Sequence, residues 1–185
     1  MPANNNKPHA PIAVIGGTGL EQIEGMTDVQ PVALDTPFGK PSDFITIGKL
    51  EGVSVAFLPR HGRGHFISPT ELNSRANIYA LKSIGVEQII AVCSCGSFKE
   101  ELAPGSLVIP DQIIDRTRNR VSTFFTDGIV AHISFAHPFC RDLSSLLYKS
   151  AREVTANVCQ KGAYVCMEGP AFSTRAESKL YKSWG

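Results

Sequence analysis

Val53-Ser54-Val55-Ala56-Phe57-Leu58 runs straight into Pro59-Arg60-His61-Gly62-Arg63-Gly64-His65. The first part is an apolar run of strand length, and the second ends it with two arginines, two histidines and two glycines. Arginine offers a planar fork of donors that matches phosphate oxygens. Histidine donates to an anion or carries a proton, and glycine lets the backbone approach a ligand closely. Such a segment is either an anion pocket or a solvated basic loop. The strand in front of it favours the pocket, because ligands of open α/β sheets sit outside the carboxyl ends of strands.

Other segments repeat the pattern. Ile12 to Ile15 is a short apolar run that stops on Gly16-Gly17-Thr18-Gly19. A turn of this kind exposes backbone N–H groups to an anion, and Thr18 adds a hydroxyl; a plain tight turn is the alternative. It is no dinucleotide fingerprint, since the third glycine of that motif would fall at Gln22, and no Gly-Lys-Ser/Thr follows to make a P-loop. Gln88 to Cys95 reads as a buried strand ended by Gly96-Ser97. Cys93 and Cys95 are then packing residues or, less simply, a nucleophile without a visible base. Tyr164 to Met167 reads as a strand that meets Glu168-Gly169-Pro170. Beyond it Phe172 offers an aromatic ledge for a flat ligand, and Ser173 either caps a helix or bonds that ligand. Together these motifs place four strand ends at one edge of one sheet.

Between them, Asp35 to Asp43 reads as a loop, Phe44 to Gly48 as a strand, and Glu51-Gly52 as a hairpin turn. Helical spacing runs from Thr70 to Ile84, with Ser68 or Thr70 as cap and Gly85 as stop. Leu107 to Ile114 and Ile129 to Ile133 read as strands, Phe139 to Val158 as an amphipathic helix, and Ser173 as the opening of another helix. Strands alternating with helices predict an α/β fold with a mainly parallel or mixed sheet.

The 185 residues are enough for one domain with a real core, placed at 12–185 behind a polar, disordered arm at 1–11 without an apolar signal core. Hydrophobic residues make up 43% and charged residues 19%, and the net charge is +1. That balance implies no broad face for nucleic acid, and no window reaches the length of a membrane span. The five cysteines, Cys93, Cys95, Cys140, Cys159 and Cys166, show no Cys-x-x-Cys spacing, so no zinc site is expected. They read as buried, reduced thiols of a cytoplasmic protein. A helix closing on Trp184-Gly185 looks like a C-cap with more chain expected after it.

Ile15-Gly16-Gly17-Thr18-Gly19-Leu20, Asp35-Thr36-Pro37-Phe38-Gly39-Lys40-Pro41-Ser42-Asp43, Arg60 to His65, Asn73 with Ala76-Asn77-Ile78, Cys95-Gly96-Ser97, Asp111-Gln112 with Ile114-Asp115-Arg116-Thr117, and Glu168-Gly169-Pro170 with Phe172 to Ser178 stand in order along the chain. In that order and spacing they resemble the methylthioadenosine-cleaving members of the trimeric branch of the purine nucleoside phosphorylase family. The resemblance implies a mixed β-sheet flanked by helices, a homotrimer in the cytoplasm and also the nucleus, and a pentosyltransferase of purine and methionine salvage. It implies phosphorolysis of 5′-methylthioadenosine to adenine and 5-methylthioribose 1-phosphate, with inorganic phosphate as co-substrate and no cofactor or metal. Thr18, Arg60, His61, Cys93 and Ser94 fall where the family binds phosphate. Phe172 and Ser173 fall by the purine, and His132 where a neighbouring subunit closes over the ribose. Two positions depart from the pattern: Cys93 replaces a threonine hydroxyl, and Ala171 stands where arginine is common. The family's next segment, with the residues that hold the sugar and protonate the purine, is expected beyond Gly185, so the leaving-group acid is unassigned. Sister phosphorylases for methylthioinosine or ordinary purine nucleosides, and an inactive fragment, are the alternatives.

Overall fold

The computed structural model describes residues 8–17, 20 and 23–185, and the chain divides into two compact units, Met1–Ser94 and Cys95–Gly185. Residues 1–7 of the polar arm lie outside the described residues. The end of that arm is anchored: Ala10 is fully buried, its N–H donates to the Ile84 carbonyl at 3.0 Å, and the Ser54 hydroxyl donates to the His9 carbonyl at 2.8 Å.

The first unit is built on a five-stranded mixed sheet in the order β2-β3-β4-β1-β5. Its strands are β1 (Ile12–Gly16), β2 (Thr27–Val32), β3 (Ile45–Leu50), β4 (Val53–Pro59) and β5 (Gln88–Ala91). β3 and β4 form an antiparallel hairpin across Glu51-Gly52, where both residues take positive φ, +49° and +79°. β1 lies between β4 and β5 and runs parallel to both, Gly16 opposite Pro59 and Ile15 opposite Ala91. The three strands therefore end side by side. β2 is an addition to the sequence reading. It is polar, mostly exposed and irregular in register, and it carries Pro31, which an edge strand tolerates because no ladder bond is lost there.

Helix α1 (Ser74–Ser83) covers this sheet with Ala80 and Leu81, which pack with Ile84 against Ala13, Ile45, Ala56 and Leu58. It starts later than Ser68 or Thr70, because the Asn73 side chain is the cap and accepts the Ala76 N–H at 3.1 Å. Asn77, also buried, ties the helix to the preceding loop. Its carbonyl oxygen accepts the Ser42 N–H at 2.8 Å and its amide donates to the Ser42 hydroxyl at 2.9 Å.

The second unit holds β6 (Leu107–Ile109) parallel to β8 (Val158–Gln160), and β7 (Gln112–Arg116) parallel to β9 (Ala163–Met167). The expected strand Leu107 to Ile114 is thus two strands. Pro110 donates nothing to a ladder, and across from it Lys161 and Gly162 take φ of +79° and +138°, so both chains bend at the same level. The long helix is α2 (Arg141–Val154), and it gives way to β8. α3 (Arg175–Ser183) starts from a Thr174 cap rather than from Ser173. Ile129 to Ile133 is not a strand: it follows Asp127 and Gly128, both at positive φ, and among the described residues it has no partner strand to complete a ladder.

Candidate active site

The carboxyl edge of β4, β1 and β5 gathers the phosphate candidates of the first unit. The backbone carbonyls at the end of β1 extend both neighbouring ladders by one bond. Ile15 accepts the Val92 N–H, and Gly16 accepts the Arg60 N–H, each at 3.0 Å. The Arg60 side chain then crosses β1 and its Nη1 donates to the Val92 carbonyl at 3.0 Å. Gly17 makes that path possible, because a Cβ there would overlap the guanidinium group. One arginine thus joins all three strand ends. Among the described residues its bonds run to carbonyls, and the ion pairs formed here involve other cations.

His61 is buried and fixed at both ends. Its carbonyl accepts the Ile67 N–H at 3.0 Å, and its Nδ1 lies 2.8 Å from the Ile67 carbonyl. A carbonyl only accepts, so Nδ1 carries the proton on this side of the ring. The ring stacks on His65, centroids 4.4 Å apart. The turn between them needs Gly62, which sits at φ +72° with the Phe66 ring against the place a Cβ would occupy.

Arg63 leaves the cluster. Its N–H donates to Asp43 Oδ2 at 2.8 Å, its Nη2 donates to Thr46 Oγ1 at 2.9 Å, and its Nε lies 4.0 Å from the same carboxylate. The basic segment is therefore partitioned, with Arg60 and His61 on one side and a loop-binding arginine on the other. Cys93 and Ser94 follow directly on Val92 and are exposed. Thr18 lies outside the described residues. The edge is an open shelf: a cleft of about 280 Å³ on this unit is lined by Lys40, Ser42, Phe66, Glu71 and Asn73 and includes none of Arg60, His61, Cys93 or Ser94.

Two expectations are corrected here. No cysteine is buried: Cys93, Cys95 and Cys140 are exposed, Cys159 and Cys166 half-buried, all as thiols. For Cys93 and Cys95 the reason is that β5 stops at Ala91, where the β1 ladder ends, so neither lies in the strand. The fourth strand end, that of β9, belongs to a separate two-stranded sheet with β7 rather than to the edge of the five-stranded one.

The purine candidates belong to the second unit. Phe172 is 90% exposed. The Ser173 hydroxyl lies 2.8 Å from that of Ser178. Directly after them Thr174 and Glu177 form a reciprocal capping box: Thr174 Oγ1 accepts the Glu177 N–H at 3.2 Å, and Glu177 Oε2 accepts the Thr174 N–H at 2.7 Å. The bond from the Thr174 backbone, then that with its side chain, holds the Glu177 carboxyl below its ordinary pKa, and Arg118 and Arg116 add to this. His132 lies in an exposed stretch without helix or strand.

A group with no role in the sequence reading precedes the ledge. Arg120 Nε lies 3.1 Å from both Glu168 carboxylate oxygens, and its Nη2 donates to the Glu168 carbonyl at 2.6 Å. The Arg118 N–H donates to Glu168 Oε2 at 2.6 Å. The available signal was the alternation Arg116, Arg118, Arg120 after a strand that pairs with the strand ending before Glu168. Among the described residues no three His, Cys, Asp or Glu side chains group as metal ligands.

A family model described as the phosphorylase superfamily matches residues 11–185, and the chain belongs to that family. Within it the chain is 58% identical over 175 residues to the S-methyl-5′-thioadenosine phosphorylase of Geobacter sulfurreducens, covering 94% of this chain and 61% of the relative. It is 54% identical over 179 residues to that of Thermosynechococcus vestitus, covering 95% and 62%. Among solved structures, a methylthioadenosine phosphorylase from an antarctic soil metagenomic library superposes with a TM-score of 0.90 at 50% identity, over 96% of this chain and 63% of the other. The Schistosoma mansoni methylthioadenosine phosphorylase in complex with adenine superposes with a TM-score of 0.89 at 36% identity, over 95% and 71%. The chain thus spans 61% and 62% of the length of the two curated relatives.

Proposed function

We propose that this chain serves the phosphorolysis of 5′-methylthioadenosine to adenine and 5-methylthioribose 1-phosphate, as a cytoplasmic homotrimer that uses inorganic phosphate and no cofactor. The carrying observation is Arg60, a guanidinium held across three strand ends with carbonyl partners and, among the described residues, no ion pair. The names of the relatives support the nucleoside, and the adenine complex of a relative supports the purine.

Phosphate arrives as an anion, so its attack on the anomeric carbon needs little base catalysis. What it needs is desolvation and aim, and fixed charged donors supply both. Arg60 and His61 are the groups for this task, with Thr18, Cys93 and Ser94 as further donors. The transition state has oxocarbenium character, so the same anion that attacks also stabilises the sugar cation. On the purine side, Phe172 offers a stacking face and Ser173 a hydroxyl, while His132 is the group assigned to the ribose of a neighbouring subunit. The departing purine gains a proton from a group not assigned here.

The deciding experiment follows adenine release from methylthioadenosine with and without phosphate, with methylthioinosine and inosine as competitors. Phosphate-dependent release of adenine, with the 6-oxo nucleosides cleaved poorly, is the expected result. Preference for a 6-oxo nucleoside would transfer the assignment to a sister phosphorylase.

A further inference from the structure

We propose that Arg120 and Glu168 are positioning residues that set the Phe172–Ser173 ledge for the purine; this rests on the nucleoside reading above. The six residues from Glu168 to Ser173 lie between two anchors. At the far end the capping box of Thr174 and Glu177 fixes the start of α3. At the near end Glu168 receives four bonds from one neighbouring segment: three from Arg120, one of them to the backbone carbonyl, and one from the Arg118 N–H.

The placement of this clamp follows from the sheet. β7 and β9 run parallel, with Arg116 opposite Met167, so the segments that leave them start side by side. Arg118 and Arg120 continue one strand and Glu168 the other, and the clamp closes just past the last pair. Its side chains are about a quarter exposed, 27% for Arg120 and 22% for Glu168, which limits the screening that weakens fully exposed pairs. A planar guanidinium with Nε on the carboxylate and Nη2 on the carbonyl of the same residue fixes direction, not only distance.

Between the anchors Phe172 stands in water. An aromatic side chain gains by burial, and this ring, 90% exposed between two fixed ends, presents its face to a flat partner. The clamp bears on that role. It supplies no bond to any ligand, yet it fixes the near end of the segment from which Phe172 projects. Loss of it leaves the ledge present but loose, and a displacement of even an ångström costs a stacking site much of its affinity.

The test compares wild type with Arg120→Ala, Arg120→Lys and the double variant Arg120→Ala/Glu168→Ala, which leaves no carboxylate unpaired. Amide hydrogen exchange over residues 169–173 and calorimetric binding of adenine are read together, with the Michaelis constants for nucleoside and phosphate. The expected result is faster exchange across 169–173 and about tenfold weaker adenine in both alanine variants, with the phosphate constant unchanged and partial recovery in Arg120→Lys, as lost positioning requires. Unchanged exchange and unchanged adenine affinity would overturn the clamp, as would an equal rise in both Michaelis constants. Wild-type protein that binds no adenine would overturn the nucleoside reading instead, and the exchange data would still decide whether the clamp orders the loop.

Discussion

The Arg60 guanidinium lies against Gly17 so closely that a side chain at residue 17 would occupy the same space. The glycine turn after β1 and the basic segment after β4 are therefore one device, since the first leaves room for the second. Replacing Gly17 by alanine forces either the turn or the arginine to move. The atoms in the way are the end of a flexible side chain, so the arginine yields at little cost to stability. Gly17→Ala is expected to raise the Michaelis constant for phosphate with little change in melting temperature. Normal phosphate kinetics in this variant would mean that Arg60 need not cross β1 to act.

The two arginines of the basic segment are expected to separate cleanly. Arg60→Ala removes a charge-assisted contact worth about 1.5–3 kcal/mol and should raise the Michaelis constant for phosphate by one to two orders of magnitude. Arg63→Ala removes the bond to Thr46 and the 4.0 Å contact of Nε with Asp43, keeps the backbone N–H bond to Asp43, and should affect stability rather than phosphate. Steady-state kinetics at varied phosphate, beside thermal melts, reads both. Equal effects of the two substitutions on phosphate would show that the partition seen here does not govern binding.

Cys93→Thr tests the thiol on the shelf. A thiol is a weak donor and a hydroxyl a good one, and a net hydrogen bond contributes about 0.5–1.5 kcal/mol. The threonine variant should therefore bind phosphate several times more tightly, while Cys95→Ser stays near wild type. A large loss of turnover in Cys93→Thr with a normal melt would mean that the sulfur does something a hydroxyl cannot.

Acid should weaken the cap of α3. The Glu177 carboxyl is held below its ordinary value of 4.5, first by the Thr174 N–H and then by the Thr174 side chain. A depressed folded pKa stabilises the charged, folded form. That contribution is complete above the unfolded value and fades as pH falls through the folded one. Glu177→Gln should therefore melt below wild type at neutral pH, and the difference should shrink on the acid side of 4.5. A gap that stays constant down to about pH 3 would show that the charge plays no part in the cap.

Two strand ends of the shelf, those of β1 and β4, were legible because apolar runs stop on glycine or on Pro-Arg, and a hydrophobic strand that meets such residues has to turn; β5 stops at Ala91, short of the glycine expected to end it. The Glu51-Gly52 hairpin was legible for the same reason. Elsewhere the signals failed for physical causes. Leu107 to Ile114 looks continuous by hydrophobicity alone, and only Pro110 marks the bend. β2 has no apolar face to announce it, because as an edge strand it is solvated and needs none. Ile129 to Ile133 has the composition of a strand but no partner, and a ladder is a property of two segments. The partners of Arg60 were invisible in another way, since a backbone carbonyl leaves no mark in the sequence. The Arg120–Glu168 pair spans 48 residues and was beyond the reach of local patterns.

Arg60 spends its hydrogen bonds on peptide oxygens and, among the described residues, forms no ion pair. A carboxylate partner would have cancelled its field, and a carbonyl dipole only bends it. On the proposed reading, a shelf of this kind discriminates small oxyanions more by charge than by shape. With phosphate as ligand, the second ionisation of the ligand lies near neutrality, so occupancy is expected to rise with pH through the titration of phosphate itself. Added salt lowers that occupancy in proportion to ligand charge, and sulfate, already doubly charged, competes without any pH dependence of its own.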